Sequence, residues 1–265
     1  MPQQKLETLT AVMDGLVRRY SGRVPDVEKI FSAMERDHIV PSRQAIDNDH
    51  IAFRTMGVPH LGIASFEKIF LYYGYEKRDP YHFESKKLDA FWYAPPEPHF
   101  PRIFASELRV ADLSAEAQAI IHSYTDEISA DPVDSLDLNN GDAVDEFLHS
   151  GLWRLPTWSD YSRLLEESEY AAWVIYNRYY LNHFTISLHN LPEANANIEA
   201  FKTYLESIGI QLNDSGGKIK TSPDNLLLQS STVAELVQAV FAGGETQAIA
   251  GSYVEFAERR PLPQF

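Results

Sequence analysis

The stretch Asp49-His50-Ile51-Ala52-Phe53-Arg54 decides how this chain is read. Side chains alternate between the faces of a strand, so His50, Ala52 and Arg54 share one face while Ile51 and Phe53 share the other. The second face is apolar and can pack; the first presents an imidazole and a guanidinium. Two distant stretches repeat the logic. Asn182-His183-Phe184-Thr185-Ile186-Ser187-Leu188-His189 sets Phe184, Ile186 and Leu188 against His183, Thr185, Ser187 and His189. In Ser252-Tyr253-Val254-Glu255-Phe256, Val254 and Phe256 oppose Glu255. Two histidines and one carboxylate from three strands can build a facial triad with open coordination positions, the arrangement of non-haem Fe(II) oxygenases.

Working outward, Leu6, Leu9, Val12, Met13, Leu16 and Val17 recur at helical spacing, and Pro25-Asp26 opens a second helix through Val27, Ile30, Phe31 and Met34. These are N-terminal helices within residues 1–40. Residues 47–112 predict the His50 strand and a helix from about Ala64 to Tyr73, closed by Gly74. Strands follow at Tyr75 to Asp79 with a continuation near His82, at Lys87 to Tyr93 and at Arg102 to Val110. Residues 113–180 read as an acidic helical insertion. A comparable order fills residues 181–260: the His183 strand, a helix from about Glu193 to Ile208 closed by Gly209, and strands at Ile210 to Asn213, from Lys218 and at Leu226 to Gln229. A helix near Val233 to Phe241 and a last strand, Ala248 to Phe256, complete it. Each half opens on a His-bearing strand and closes on a Glu-bearing one, with Glu107 quasi-equivalent to Glu255. The expected fold class is α+β: paired βαβββ modules forming a curved sheet around a metal site, with N-terminal and central helical additions, in one metalloenzyme domain over residues 1–265.

A chain of 265 residues with 44% hydrophobic content can bury a substantial core. Lys+Arg 23 against Asp+Glu 38 gives a net charge of −15, which opposes binding to nucleic-acid phosphates and to anionic membrane. Cysteine is absent, so disulfides, thiolate zinc sites and a Cys nucleophile are excluded, and any metal is held by nitrogen and oxygen. Met1-Pro2-Gln3-Gln4-Lys5-Leu6-Glu7 lacks the apolar core of a signal peptide, and no apolar run reaches spanning length. A cytoplasmic protein is expected; its oligomeric state is not legible.

Together, Asp49-His50-Ile51-Ala52-Phe53-Arg54-Thr55, Phe104-Ala105-Ser106-Glu107-Leu108, Asn182-His183-Phe184-Thr185 and Gly251-Ser252-Tyr253-Val254-Glu255-Phe256-Ala257-Glu258-Arg259 resemble the motif set of the 2-oxoadipate dioxygenase/decarboxylase family. The resemblance runs from about His50 to Arg260. It implies a vicinal-oxygen-chelate-like fold and an Fe(II) enzyme that uses O2 to convert 2-oxoadipate into 2-hydroxyglutarate and CO2. Carried over, His50, His183 and Glu255 match the metal triad, and Arg54 matches the substrate-binding arginine, with His50 beside it in the substrate site. Zn2+ or another divalent ion is compatible with the same ligands. Longer members of the family continue past the last ligand whereas this sequence stops at Phe265, so the exact 2-oxo acid is left open. The chemistry suits the residues: a 2-oxo acid can chelate Fe(II) through its carboxylate and keto oxygens, and a planar guanidinium matches a carboxylate as a lysine would not.

Other residues carry weaker signals. His189 lies six residues beyond His183, about 20 Å along an ideal strand, too far to share its site. His38, His60, His82, His99, His122 and His149 have no comparable context. Glu107 reads as a fourth ligand, a partner orienting a ligand, or an unrelated strand carboxylate, with a site-lining role favoured. Glu258 reads as a surface ion-pair partner of Arg259 and Arg260. The aromatic run Trp173 to Tyr180 reads as core rather than site. Gly216-Gly217 and Gly243-Gly244 lack the Lys and Ser/Thr of a phosphate loop and read as turns, and no nucleophile elbow supports serine hydrolysis. Two rival functions remain: a Zn2+-dependent hydrolase or isomerase with the same ligands, and a non-catalytic protein binding a small acid.

Overall fold

The computed structural model describes residues 3–261. Helices α1 (Gln3–Arg23) and α2 (Pro25–Arg36) precede strand β1 (Asn48–Met56). Proline at the start of α2 and Asp26 and Glu28 in its first turn suit the free N–H groups and dipole there. After β1 come α3 (Ile63–Tyr72), β2 (Glu76–Phe83), β3 (Leu88–Ala94) and β4 (Arg102–Leu108), then the helices α4 (Ala115–Thr125), α5 (Gly141–His149), α6 (Trp158–Glu167) and α7 (Glu169–Asn177). The remainder is β5 (His183–Ser187), α8 (Ile198–Ser207), β6 (Lys220–Thr221), β7 (Leu227–Ser231), β8 (Leu236–Val240), β9 (Thr246–Ala250) and β10 (Tyr253–Arg259). Among the described residues no helix is long and apolar enough to cross a membrane.

These residues form two compact units. The first comprises residues 3–19, 52–182 and 236–250. It holds α3 and strands in the order β2-β3-β4-β1, with β1 entering it at Ala52. β3 is antiparallel to both neighbours. α4, α6 and α7 bury Ile121, Leu164, Trp173 and Ile175 in one cluster with Phe241 and Ile249 from a separate hairpin, β8-β9. The run Trp173–Ile175 is fully buried, consistent with a core role.

The second unit comprises residues 20–51, 183–235 and 251–261. Its strand order is β5-β10-β7-β6, with β10 parallel to β5 and antiparallel to β7. Phe201 of α8 packs on Phe256 of β10 with ring centroids 5.3 Å apart, and Phe31 of α2 packs edge-on against Phe184 of β5 at 5.9 Å. In each unit the module's first strand neighbours its fourth, then come the third and second: β1, β4, β3, β2 in one and β5, β10, β7, β6 in the other. The α+β class and the paired βαβββ arrangement follow directly.

Three element readings are corrected. Val233, Leu236, Val237, Val240 and Phe241 satisfy a helical template, yet residues Leu236–Val240 form a strand. Ala239 and Phe241 point into the core while Leu236 and Val240 are exposed, a period of two. Gly244 supplies the positive φ of the turn, +86°, that pairs β8 with β9. The predicted last strand is likewise two strands broken at Gly251-Ser252, β9 belonging to the first unit and β10 to the second. Ile210 to Asn213 reduces to a single bridge between Leu212 and Thr232.

The modules also share a cap. The first N–H of α3, from Ile63, is accepted by Glu107 Oε2 of β4 at 2.6 Å, and the first N–H of α8, from Ile198, by Glu258 Oε2 of β10 at 2.8 Å. Gly62 is required beside the first cap, since a Cβ there would lie 2.0 Å from Glu107 Oε2. Both glutamates are the sixth residue of a seven-residue strand. Glu107 is therefore the counterpart of Glu258, and the counterpart of Glu255 is Phe104. Glu258 is also a correction, because its side chain is 13% exposed and does more than pair with Arg260 at 3.0 Å. Glu107→Ala and Glu258→Ala should each lower unfolding free energy by about 1 to 2 kcal/mol. Urea denaturation followed by circular dichroism measures this, and unchanged midpoints would contradict the capping role.

Candidate metal centre

The pairing of β10 with β5 is parallel and in register, with Tyr253 opposite His183 and Glu255 opposite Thr185. Residues paired across a sheet share a face, so His183, Thr185, Tyr253 and Glu255 project to the same side. The other face carries Phe184, Ile186, Val254 and Phe256, all buried. His50, on the N-terminal part of β1 that belongs to this unit, brings Nε2 to 3.2 Å from Thr185 Oγ1 and 3.2 Å from Glu255 Oε1. His183 Nε2 lies 3.9 Å from the same oxygen. Among the described residues, His50, His183 and Glu255 are the one group of three metal-ligating side chains whose donor atoms all lie within 4.8 Å of one another.

These donors fit a divalent ion. Donors bound at about 2.1 Å lie about 3 to 4 Å apart for angles from about 90° to about 140°, which brackets both measured separations. Two imidazoles and one carboxylate suit a first-row metal of borderline character, and Cys-free chemistry excludes thiolate competitors.

The surroundings orient the donors. His50 Nδ1 donates to Asp49 Oδ1 at 2.8 Å, which leaves Nε2 as the coordinating nitrogen. Asp49 is itself held by Arg259, whose Nε and Nη2 donate to its two oxygens at 2.6 and 2.7 Å. Gln229 Nε2 donates to Glu255 Oε1 at 2.5 Å, and the Tyr253 ring stacks on His183 with centroids 4.8 Å apart. Tyr20, buried, donates to the Tyr253 carbonyl and accepts the Phe184 N–H at 3.3 Å, tying β5 to β10 below the site. Burial alone would push the His50 imidazole down. Its hydrogen bonds to Asp49 and Glu255 outweigh that and raise it to about 9. Burial likewise pushes Glu255 up, but His183, His50 and Gln229 together hold it below the ordinary carboxylate range. Asp49 is held low against its own burial by His50 and Arg259.

The predicted residues are thus distributed unevenly. His50, His183 and Glu255 converge. Glu107 is not in that group; burial raises its carboxyl, and its partner is the Ile63 N–H. His189 is also outside it, its ring beside Ser187 Oγ and the Arg259 N–H. Arg54, four residues beyond His50 on β1, donates through Nη1 to Glu169 and lies over the rings of Tyr170 and Trp173 at 5.0 and 5.1 Å. Asp49, Arg259 and Gln229 were missed as functional residues. Only the acidic residue immediately before a candidate ligand could have signalled Asp49, and strand alternation argues against reading it so.

Two βαβββ modules give the chain a vicinal-oxygen-chelate-like fold, and its two histidines and one carboxylate form a group that could hold a metal ion. A putative glyoxalase superfamily protein from Ralstonia eutropha, 20% identical, shares the fold with a TM-score of 0.70 over 96% of this chain and 83% of that one. The model of the 2-oxoadipate dioxygenase/decarboxylase family matches residues 12–264, and the chain belongs to that family. It is 42% identical over 236 residues to the chloroplastic 2-oxoadipate dioxygenase/decarboxylase of Arabidopsis thaliana, covering 84% of this chain and 61% of that protein. With the chloroplastic/amyloplastic 2-oxoadipate dioxygenase/decarboxylase of Oryza sativa subsp. japonica the identity is 40% over 268 residues, 96% of this chain and 70% of that protein. The hydroxyglutarate synthase from Oryza sativa, solved in complex with 2-oxoadipate, superposes with a TM-score of 0.90 at 38% identity over 100% of this chain and 85% of that one. Both plant relatives are named for plastids, unlike the cytoplasmic location expected for this chain.

Removing any of His50, His183 or Glu255 by alanine should sharply weaken binding of one divalent ion per chain. Asp49→Asn, which breaks the bond orienting His50, should weaken it by about 10- to 100-fold. Isothermal titration with Fe(II) under anaerobic conditions measures both, and full affinity in the His50→Ala protein would remove His50 from the ligand set.

Proposed function

We propose that the protein is an Fe(II)-dependent dioxygenase that decarboxylates a 2-oxo dicarboxylic acid, with 2-oxoadipate converted to 2-hydroxyglutarate and CO2. The convergence of His50, His183 and Glu255 carries this reading, because it leaves an ion with open positions in a chain of this family. The reaction balances without an external reductant: the substrate's own carboxyl leaves as CO2, and the two atoms of O2 end in the carboxylate formed at the former keto carbon and in the new hydroxyl. When bound, the iron supplies a chelation point for the 2-oxo acid and activation of O2.

The chain's own residues do the rest. Asp49, clamped by Arg259, keeps the His50 proton on Nδ1, so Nε2 is available as a donor. Gln229 fixes the rotamer of Glu255, and Tyr253 fixes the plane of His183. Arg54 binds a substrate carboxylate: it follows His50 by four residues, with the same parity on β1, and its guanidinium is backed by two aromatic faces that hold it in place without neutralising it. A dicarboxylic 2-oxo acid is preferred because its second carboxylate needs a partner that a buried apolar chain end would lack.

The rival Zn2+ hydrolase or isomerase would use the same ligands to activate water. Anaerobic reconstitution with Fe(II), followed by O2 uptake across a panel of 2-oxo acids, separates the two. The expected outcome is equimolar O2 consumption, CO2 release and 2-hydroxyglutarate formation from 2-oxoadipate. Turnover by the Zn2+ form without O2 would overturn the proposal. Arg54→Ala and Arg54→Lys should keep the metal and lose about 10- to 100-fold in kcat/KM; loss of the metal instead, or normal kinetics, would remove Arg54 from substrate binding.

A further inference from the structure

We propose that Glu169 is a stand-in for the substrate carboxylate, occupying Arg54 until a dicarboxylic acid displaces it. The inference rests on the substrate-binding role assigned to Arg54 above. Both oxygens of Glu169 approach the same guanidinium nitrogen, Nη1, at 3.0 and 3.2 Å. That is not the parallel two-nitrogen fork of the strongest arginine–carboxylate pairs, so an incoming carboxylate can compete with Glu169 for Nη1.

The two partners are unequally anchored. The Arg54 side chain is 17% exposed and lies over Tyr170 and Trp173, both buried, whereas the Glu169 side chain is 57% exposed. Glu169 is the first residue of α7, whose cap is Ser168, its hydroxyl accepting the Ala171 N–H. A glutamate in that first turn is favoured by the helix dipole whichever way its side chain turns. Glu169 can therefore swing into solvent without uncapping α7, while the guanidinium stays on its aromatic platform. Tyr170, the next residue, is fixed in the opposite sense: its hydroxyl donates to the Ser106 carbonyl at 2.9 Å and accepts the Thr55 N–H at 3.0 Å. The platform is rigid and the stand-in is not.

A stand-in lowers apparent affinity by the fraction of Arg54 already paired. A partly exposed ion pair corresponds to a penalty of about two- to sixfold in apparent affinity. It keeps a carboxylate on Nη1 when no substrate is bound.

The test is steady-state O2 uptake with 2-oxoadipate by the Fe(II)-loaded protein, comparing wild type, Glu169→Gln, Glu169→Ala and Arg54→Ala. The expected result is a KM about two- to sixfold lower in both Glu169 variants and raised in Arg54→Ala. Added salt should narrow the difference between wild type and Glu169→Gln by screening the pair. A KM that is unchanged or raised in the Glu169 variants, alongside a raised KM in Arg54→Ala, would overturn the stand-in while leaving Arg54 in its role. An unchanged KM in Arg54→Ala would instead overturn the reading on which it rests.

Discussion

Everything at the metal centre depends on the register between β5 and β10. Because the side-chain period of a strand is two, a slip by one residue would turn Glu255 away from His183 and put it where Val254 and Phe256 now pack. The apolar face prevents this. Phe256 is fully buried against Phe201, and burying a side chain of that size is worth about 2 to 3 kcal/mol, so a slip that exposed it would be strongly penalised. The donors are placed by hydrophobic packing on the far side of the strands that carry them. Tyr20 reinforces the same pairing through the Tyr253 carbonyl and the Phe184 N–H.

Such a site gathers charge where water is scarce, and the chain compensates each one. Asp49 and Glu255 are buried carboxylates; Arg259 answers the first, and the two histidines with Gln229 answer the second. Asp49 and Glu255 raise the His50 imidazole, and a divalent ion bound at Nε2 would take the place of its proton. Asp49 bonds to Nδ1, the nitrogen that does not face Glu255.

Strand alternation made the three converging side chains legible, since each sits opposite an apolar face that any sheet must bury. It also concealed Asp49. As the immediate neighbour of His50 it should face the other way, and only the bending of its side chain to Nδ1, held by an arginine 210 residues later, brings it to the site. The β8-β9 hairpin was hidden for a different reason: five apolar residues fit the helical period, but the core takes the alternate residues Ala239 and Phe241 and leaves Leu236 and Val240 exposed. Glu107 was matched with Glu255 because both end a module, but strand position decides equivalence, and by position it is the helix cap.

That correction explains why the ligand set is asymmetric. Two copies of one module could supply matching donors from both last strands, and at the third position of β10 the second module does supply Glu255. At the third position of β4 the first module has Phe104, whose ring lies 5.8 Å from Tyr81 and whose cross-strand partner is Trp92. A carboxylate in that aromatic setting would lack the histidines and amide that hold Glu255 charged. In the first unit the buried Tyr170 and Trp173 back Arg54, while the second unit holds all three candidate donors and the groups that orient them. Both modules carry the cap, Glu107 and Glu258, because each helix needs its first N–H satisfied, whereas their third strand positions differ, Phe104 in one and Glu255 in the other.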